Sequence, residues 1–206
     1  MPSFDSPPNF DSPEPPVLCP VLHHLGLKTT QVKAMVEWYA IVIGSHITFE
    51  RHDIAFVTND AANHRVAIFS NQPYVVPEGR DQHIGMHHSA FEYRTLDELL
   101  LTWTRVKRRG IEPSFCLDHG PTTSFYYRDP DGNYVELQAD NWDNSSQSAT
   151  FMHEDPRFLE DPVGKPIDPA RLVAARQSGL SPWEVHLAAY RGELAPEAAD
   201  GEGAPA

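Results

Sequence analysis

The sequence predicts an α+β fold built from two tandem β-α-β-β-β modules and a helical C-terminal arm. Short β-rich apolar runs between polar breaks predict strands, and two longer segments with apolar residues at helical spacing predict helices. The two halves repeat the same order of elements, and the first predicted strand of each half carries two adjacent histidines, in "LHHLGL" and in "MHHSAF". This matched repeat indicates that the histidines belong to a site.

The first module covers about residues 20–71 and begins with a predicted strand over residues 21–28. The segment "TTQVKAMVEWYAIVIG" predicts a helix that Thr30 caps and Gly44 ends. The runs "HITFE", "DIAFVTN" and "HRVAIFS" predict three further strands.

The second module covers about residues 83–140 and repeats this order. "GMHHSAFEY" predicts a strand, and "TLDELLLTWTRVKRRG" predicts a helix that begins at a capping box of Thr95 and Glu98. Three further strands are predicted for "SFCLD", "TSFYYRD" and "NYVELQ". The segment "DPDGN" predicts a hairpin turn between the last two strands.

The regions outside the two modules differ from them in composition. Residues 1–19 are rich in Pro, Ser and Asp and predict a disordered arm, and residues 196–206 predict a disordered tail. Residues 141–195 predict an extended connector, "EDPRFLEDPVGKPIDP", followed by helices over "ARLVAARQSG" and "SPWEVHLAAYRG". Ser181 caps the second of these helices, and Pro182 takes its first helical position.

Composition excludes several classes of protein. The chain has 206 residues and a formal net charge of −13, which disfavours nucleic acid and anionic membranes as partners. Its apolar runs are too short to span a bilayer, and its N-terminus lacks the features of a signal peptide. Two cysteines are too few for a disulfide scaffold. We therefore expect a soluble cytoplasmic protein that has neither a nucleic-acid nor a membrane partner.

The second histidine of each pair is a candidate metal ligand. Because side chains alternate between the two faces of a strand, His24 shares a face with Gly26, and His88 shares a face with Ala90. The small neighbour leaves open space in front of each imidazole. The first histidine of each pair points to the opposite face and is a weaker candidate.

A carboxylate in the last predicted strand is a third candidate ligand. Glu136 lies between the apolar residues Val135 and Leu137, and a carboxylate buried there needs a cation, a hydrogen-bond donor or water. An arginine partner or a solvated strand face would also satisfy it. Two imidazoles and one carboxylate from separate strands form a site with open coordination positions, which suits non-haem Fe(II).

The segments "LHHLGL", "HHSAFEY" and "TTSFYYRDPDGNYVEL" resemble the vicinal oxygen chelate superfamily over about residues 20–140. This superfamily includes glyoxalase I, bleomycin-resistance proteins, methylmalonyl-CoA epimerase and extradiol catechol dioxygenases. The order His, His, Glu is similar to that of the single-domain type I extradiol dioxygenases. The resemblance implies a mixed, half-open β-barrel around a metal site, in which His24, His88 and Glu136 hold Fe(II), with Mn(II) as the alternative ion.

Three further residues match catalytic positions of that family. The resemblance implies that Tyr126 hydrogen-bonds a substrate oxygen, that His119 contacts the substrate hydroxyl, and that His64 is the acid–base catalyst. The alternatives for these residues are a tyrosine hydroxyl at the edge of the core, a histidine in a turn and a histidine on a surface strand.

The function implied by the resemblance is cleavage of a catechol ring next to the diol by an Fe(II)-dependent extradiol dioxygenase that uses O2. We expect a small aromatic diol as substrate, either substituted or bicyclic as in 2,3-dihydroxybiphenyl, and a homo-oligomer. A lyase or isomerase of the same superfamily is one alternative, but its fourth ligand would come from "HRVAIFS", where Ala67 and Ile68 cannot ligate. A metal-free protein that sequesters an aromatic drug is the other alternative, although such proteins usually lack the complete ligand set.

Overall fold

The computed structural model describes residues 19–76, 78–79 and 82–197, and it confirms the α+β class. The predicted N-terminal arm, apart from Cys19, and most of the predicted C-terminal tail lie outside the described residues. No helix within the described part of the chain is long and apolar enough to cross a membrane.

The first module is a four-stranded sheet covered by one helix. Its strands lie in the order β1-β4-β3-β2, with β1 parallel to β4 and the other neighbours antiparallel. The elements are β1 Leu25–Lys28, α1 Val32–Ile43, β2 His46–Arg51, β3 Ile54–Thr58 and β4 Val66–Phe69.

The second module repeats this arrangement and gains a fifth strand from the C-terminal arm. Its strands lie in the order β5-β8-β7-β6-β9, with β5 parallel to β8. The elements are β5 His88–Tyr93, α2 Leu96–Lys107, β6 Phe115–Asp118, β7 Thr122–Arg128, β8 Tyr134–Asp140 and β9 Lys165–Pro166. The tandem β-α-β-β-β repeat is therefore confirmed, and both sheets are open.

Strand alternation separates the core from the candidate site in the second sheet. Val135 and Leu137 of β8 and Phe125 of β7 are fully buried in the hydrophobic core. Glu136 and Tyr126 therefore point to the opposite face, where they stand side by side in the register of β7 and β8.

The structure corrects the bounds of the strands that carry the histidines. Strand β1 begins at Leu25, so His24 precedes the strand, and His64 lies in the loop before β4. The reason is that a strand begins only where its partner strand is available for pairing. The Leu25 N–H donates to the Arg65 carbonyl at 2.9 Å, and the partner strand β4 begins at the next residue, Val66. His88, in contrast, is the first residue of β5 and pairs with Tyr134.

The helix caps are partly as predicted. The N-cap position of helix α1 is Gln31 and not Thr30, and the Gln31 side chain makes no capping hydrogen bond. The Thr29 hydroxyl accepts the Gln31 N–H at 2.9 Å and forms the turn before the helix. Thr95 caps α2 as predicted, through a 3.2 Å hydrogen bond from the Glu98 N–H. The predicted capping box is incomplete, because the Glu98 carboxylate accepts the Arg94 N–H at 3.1 Å and not the N–H of Thr95.

The C-terminal arm is more helical than predicted. The predicted connector contains the end of α3, Ser145–Glu154, and the whole of α4, Pro156–Glu160. Its extended reading was wrong because Asn144 and Asp155 act as N-caps for these helices, and Pro156 takes the first position of α4. The two later helices, α5 Pro169–Gln177 and α6 Pro182–Tyr190, are confirmed, and Ser181 caps α6 with a capping box.

Candidate metal and proton-transfer site

A buried carboxylate is the centre of the candidate site. Glu136 is only 4% exposed, and its register places it between Ala90 of β5 and Tyr126 of β7. Its Oε1 accepts the Tyr126 hydroxyl at 2.7 Å, and its Oε2 lies 3.0 Å from His88 Nε2. Both carboxyl oxygens are therefore partnered, as buried polar atoms require.

The hydrogen bonds continue from Tyr126 to His119. His119 Nε2 lies 2.9 Å from the Tyr126 hydroxyl oxygen, and its Nδ1 lies 2.6 Å from the Val163 carbonyl oxygen. Because a carbonyl oxygen only accepts, Nδ1 of His119 carries a proton. Burial and the hydrogen bond to Glu136 raise the pKa of Tyr126, so the phenol stays protonated.

A second cluster, of three histidines, lies beside the first sheet. The side chains of His23, His24 and His64 offer ligand atoms that all lie within 4.8 Å of one another. His23 Nδ1 is 3.0 Å from His24 Nδ1, and the ring centroids of His24 and His64 are 4.4 Å apart. Among the residues that the structure describes, this is the one group of three or more His, Cys, Asp or Glu side chains with that spacing.

His64 has an environment that favours its neutral form. Its ring stacks on Phe56, with centroids 4.8 Å apart. Partial burial lowers the pKa of His64, and the neighbouring imidazoles of His24 and His23 lower it further. A neutral imidazole can accept a proton near neutral pH.

The structure divides the six candidate residues between two groups. Four of them form one hydrogen-bonded network on the second sheet, and the other two contact each other beside the first sheet. The first group is His88, His119, Tyr126 and Glu136, and the second is His24 and His64. The ligand set of His24, His88 and Glu136 therefore stays a prediction, of which the structure brings His88 and Glu136 together.

Sequence reasoning missed His23, which was expected to point away from the site. That expectation assumed strand alternation, but His23 and His24 both precede β1, where alternation does not apply. The adjacent imidazoles are consequently free to meet, and each contacts His64.

The donors present suit a divalent transition-metal ion. Imidazole nitrogen and carboxylate oxygen are the ligands of the 2-His-1-carboxylate iron sites. The 3.0 Å between His88 Nε2 and Glu136 Oε2 also matches the spacing of about 3 Å expected for neighbouring ligands around a small octahedral ion with bonds of about 2.1 Å. His24, which is exposed, stays the predicted ligand from the first module, and its imidazole lies in the cluster with His23 and His64.

Comparison with known proteins identifies the family. Two proteins of Rhodococcus globerulus are similar to this chain: biphenyl-2,3-diol 1,2-dioxygenase 3 is 38% identical over 83% of this chain and 90% of its own length, and biphenyl-2,3-diol 1,2-dioxygenase 2 is 36% identical over 86% and 93%. Among solved structures, lactoylglutathione lyase from Agrobacterium tumefaciens is 20% identical, covers 61% of this chain and 96% of its own, and has a TM-score of 0.46. A glyoxalase/bleomycin resistance protein/dioxygenase from Nocardioides is 21% identical, covers 61% of this chain and 86% of its own, and has a TM-score of 0.48.

The family profile described as Glyoxalase/Bleomycin resistance protein/Dioxygenase superfamily matches residues 21–137, which span both modules. The resemblance drawn from the histidine and "DPDGN" segments is therefore confirmed. The chain belongs to the Glyoxalase/Bleomycin resistance protein/Dioxygenase superfamily.

Proposed function

We propose that the chain is an Fe(II)-dependent extradiol dioxygenase that opens the ring of a catechol next to the diol with O2. The observation that carries this proposal is the buried Glu136 carboxylate, which contacts Tyr126 and His88 at the same time. The two relatives named biphenyl-2,3-diol 1,2-dioxygenase, which match over about nine tenths of their length, support the class of reaction.

His88 and Glu136, with His24 from the first module, would hold the metal. Mn(II) suits the same donors, so the donor set alone does not select the metal. The choice of Fe(II) is therefore itself part of the proposal. A divalent ion held by three protein ligands supplies vacant coordination positions for both catechol oxygens and O2, and it lowers the pKa of the bound phenol. The remaining work of the site falls to the side chains around these positions.

Tyr126 and His119 would stabilise negative charge on a substrate oxygen. His119 and Tyr126 lie between two acceptors, the Val163 carbonyl and the Glu136 carboxylate. Nδ1 of His119 donates to the carbonyl, and the Tyr126 hydroxyl donates to the carboxylate. Nε2 of His119 lies 2.9 Å from the Tyr126 oxygen, so the two side chains form one polar unit. This unit would stabilise negative charge that develops on a substrate oxygen beside it.

His64 would be the general base that takes the proton of a catechol hydroxyl. The lowered pKa of His64 keeps its imidazole neutral and able to accept a proton. Its contact with His24, at a centroid distance of 4.4 Å, would place it beside the metal. The same imidazole would return the proton later in the reaction.

The substrate that we propose is a bicyclic catechol. Aromatic rings border both candidate groups: Phe115 stacks on Tyr126 with centroids 4.4 Å apart, and Phe56 stacks on His64. Flat apolar surfaces of this kind suit an aromatic substrate. The names of the two relatives specify a bicyclic diol, biphenyl-2,3-diol.

The test is anaerobic reconstitution with Fe(II), followed by admission of air in the presence of a catechol panel that includes 2,3-dihydroxybiphenyl. Visible absorbance follows the yellow ring-opened product. Absence of this product for every catechol, in protein that retains iron, would refute the proposed reaction. Product formed equally well without metal would refute the role of iron.

The two histidine pairs provide matched controls for the ligand set. Alanine at His24, His88 or Glu136 should abolish iron retention and ring cleavage, whereas alanine at His23 or His87, whose Nδ1 atoms lie 3.0 Å and 2.7 Å from the Nδ1 atoms of His24 and His88, should weaken iron retention without abolishing it. Iron content is measured on the purified, reconstituted variants. If His23→Ala lost the metal and His24→Ala kept it, the ligand from the first module would be His23, and the proposed assignment would be wrong.

A further inference from the structure

Two buried ionisable side chains next to the site have no part in the mechanism above. Asp118 is the last residue of β6 and directly precedes His119, and His186 lies on α6. His186 Nδ1 is 2.8 Å from Asp118 Oδ2, and the two side chains are 3% and 0% exposed. This buried polar contact connects β6, at the residue before His119, to helix α6.

The Asp118 carboxylate also holds the backbone that follows His119. Its Oδ1 accepts the Gly120 N–H at 2.8 Å and lies 3.5 Å from the Asn141 side-chain nitrogen. The His119 N–H donates to the Thr122 carbonyl at 2.9 Å, which closes the turn between β6 and β7. The turn that carries His119 is therefore anchored at Asp118, and through Asp118 to helix α6.

The C-terminal arm, residues 141–195, contacts the same turn at the His119 side chain. Val163 supplies the carbonyl that accepts from His119 Nδ1 at 2.6 Å. Gly164 has φ +90°, and a Cβ atom there would lie 2.1 Å from the Asp118 carbonyl oxygen and 2.7 Å from His119 Cα. The arm thus passes in direct backbone contact with His119 before β9 pairs with β6.

Aromatic rings of the arm cover the other side of the turn. A Cβ atom at Gly120 would lie 2.5 Å from a ring carbon of Phe151 on α3 and 3.2 Å from the Tyr190 ring on α6. The Tyr190 ring also stacks with His186, with centroids 5.8 Å apart. The arm therefore encloses the turn through a carbonyl, a buried polar pair and two packed rings.

We propose that the C-terminal arm is a positioning device for His119 and that Asp118 and His186 are its positioning residues. They act through His119, because the Asp118 carboxylate fixes the turn and the arm supplies the acceptor that orients the imidazole. This inference rests on the proposed function for its effect on turnover. A group that stabilises charge must be held to within about 0.5 Å, so a loosened turn weakens catalysis without removing a catalytic group.

The first test compares His186→Phe with His186→Gln and with Leu172→Ala in the iron-loaded enzyme. His186→Phe removes the donor to Asp118 and should lower kcat by about 10–100-fold, the scale expected for a misplacement of about 1 Å, with iron content and KM unchanged. His186→Gln keeps a donor and should recover part of kcat. Leu172→Ala makes a cavity at a fully buried position of α5 and should lower the melting temperature while leaving kcat unchanged.

A double-mutant cycle with His119→Ala separates positioning from general destabilisation. If His186 acts through His119, His186→Phe should change the residual kcat of His119→Ala by less than about 2-fold, because the two changes share one effect. An equal loss from His186→Phe in both backgrounds would overturn the proposal.

A nuclear magnetic resonance readout on the full-length protein without metal does not depend on activity. The His119 Nδ1–H that donates to Val163 should give a slowly exchanging imidazole proton signal, which is assigned by its loss in His119→Ala. His186→Phe should abolish this signal, and Leu172→Ala should keep it. A signal unchanged in His186→Phe would refute the positioning role. A wild-type protein that cleaves no catechol but shows the expected loss would refute the proposed reaction alone.

Discussion

Replacement of Tyr126 by Phe removes one hydroxyl from the centre of the site. That hydroxyl donates to Glu136 Oε1 at 2.7 Å and lies 2.9 Å from His119 Nε2. The ring that remains can keep its stacking on Phe115, where the centroids are 4.4 Å apart. The variant therefore isolates the hydrogen bonds from the packing.

The loss of stability follows from the burial of Glu136. At 4% exposure, water cannot readily replace the lost donor, and a hydrogen bond to a charged group contributes about 1.5–3 kcal/mol. For a chain of this size, about 2–4 °C of melting temperature corresponds to each kcal/mol, so the melting temperature should fall by about 3–12 °C. His88 and Glu136 remain, so we expect iron to be retained, while loss of a charge-stabilising donor should lower kcat by about 100-fold or more.

The neighbouring Tyr127 provides a matched control. Its hydroxyl is buried on the opposite face of β7 and has no hydrogen-bond partner among the described residues. Tyr127→Phe should therefore leave the melting temperature unchanged or raise it, because an unsatisfied hydroxyl is removed. Calorimetry, iron content and steady-state kinetics are measured on both variants. Wild-type turnover in Tyr126→Phe, or equal losses of stability in the two variants, would refute the reasoning.

Two other predictions test the packing around the site. Gly120→Ala should lower the melting temperature more than Gly44→Ala. Both glycines have positive φ, 91° and 67°, but of the two only Gly120 would place its new Cβ against a ring, that of Phe151 at 2.5 Å. Equal shifts in thermal unfolding would contradict this packing. A disulfide reagent such as DTNB should label one thiol quickly in the native protein and two thiols in denaturant. Cys19 is exposed, whereas burial raises the pKa of Cys116 and shields its sulfur. Two rapidly labelled thiols in the native protein would mean that Cys116 of β6 is not buried as described.

The part of the site that sequence predicted well depends on local geometry. The turn "DPDGN" closes through a hydrogen bond from the Asp129 N–H to the Asn133 carbonyl at 3.0 Å. A turn of fixed length sets the register of its two strands, so Tyr126 and Glu136 meet as direct partners. The predicted hairpin turn is therefore the local feature that brings these two side chains together.

The features that sequence did not predict depend on distant partners. The pair of Asp118 and His186 joins residues 68 positions apart, and in the sequence Asp118 is indistinguishable from a polar residue that ends a strand. The first residue of β1 likewise depends on where β4 begins, because Leu25 pairs with Val66, and His24 therefore lies outside the strand. Periodicity within one segment contains no information on either contact.

The two modules are joined by side chains at both ends of helix α1. At its C-terminal end, Arg105 of α2 donates to the carbonyls of Ile41 and Val42, where a cation also complements the helix dipole. At its N-terminal end, the Gln31 side chain donates to Asp131 Oδ1 at 2.8 Å and to the Pro130 carbonyl at 3.0 Å.

These contacts bear on the distance between the two parts of the proposed metal site, His24 in one cluster and the His88–Glu136 pair in the other. The Pro130–Asp131 segment belongs to the turn directly before β8, the strand that carries Glu136, and Gln31 follows β1 closely in the chain. The position of His24 relative to Glu136 is therefore set by the packing of α1 on the second module and by neither sheet alone. This explains why strand patterns could select each candidate ligand separately, while the distance between His24 and the His88–Glu136 pair depends on the junction of the modules.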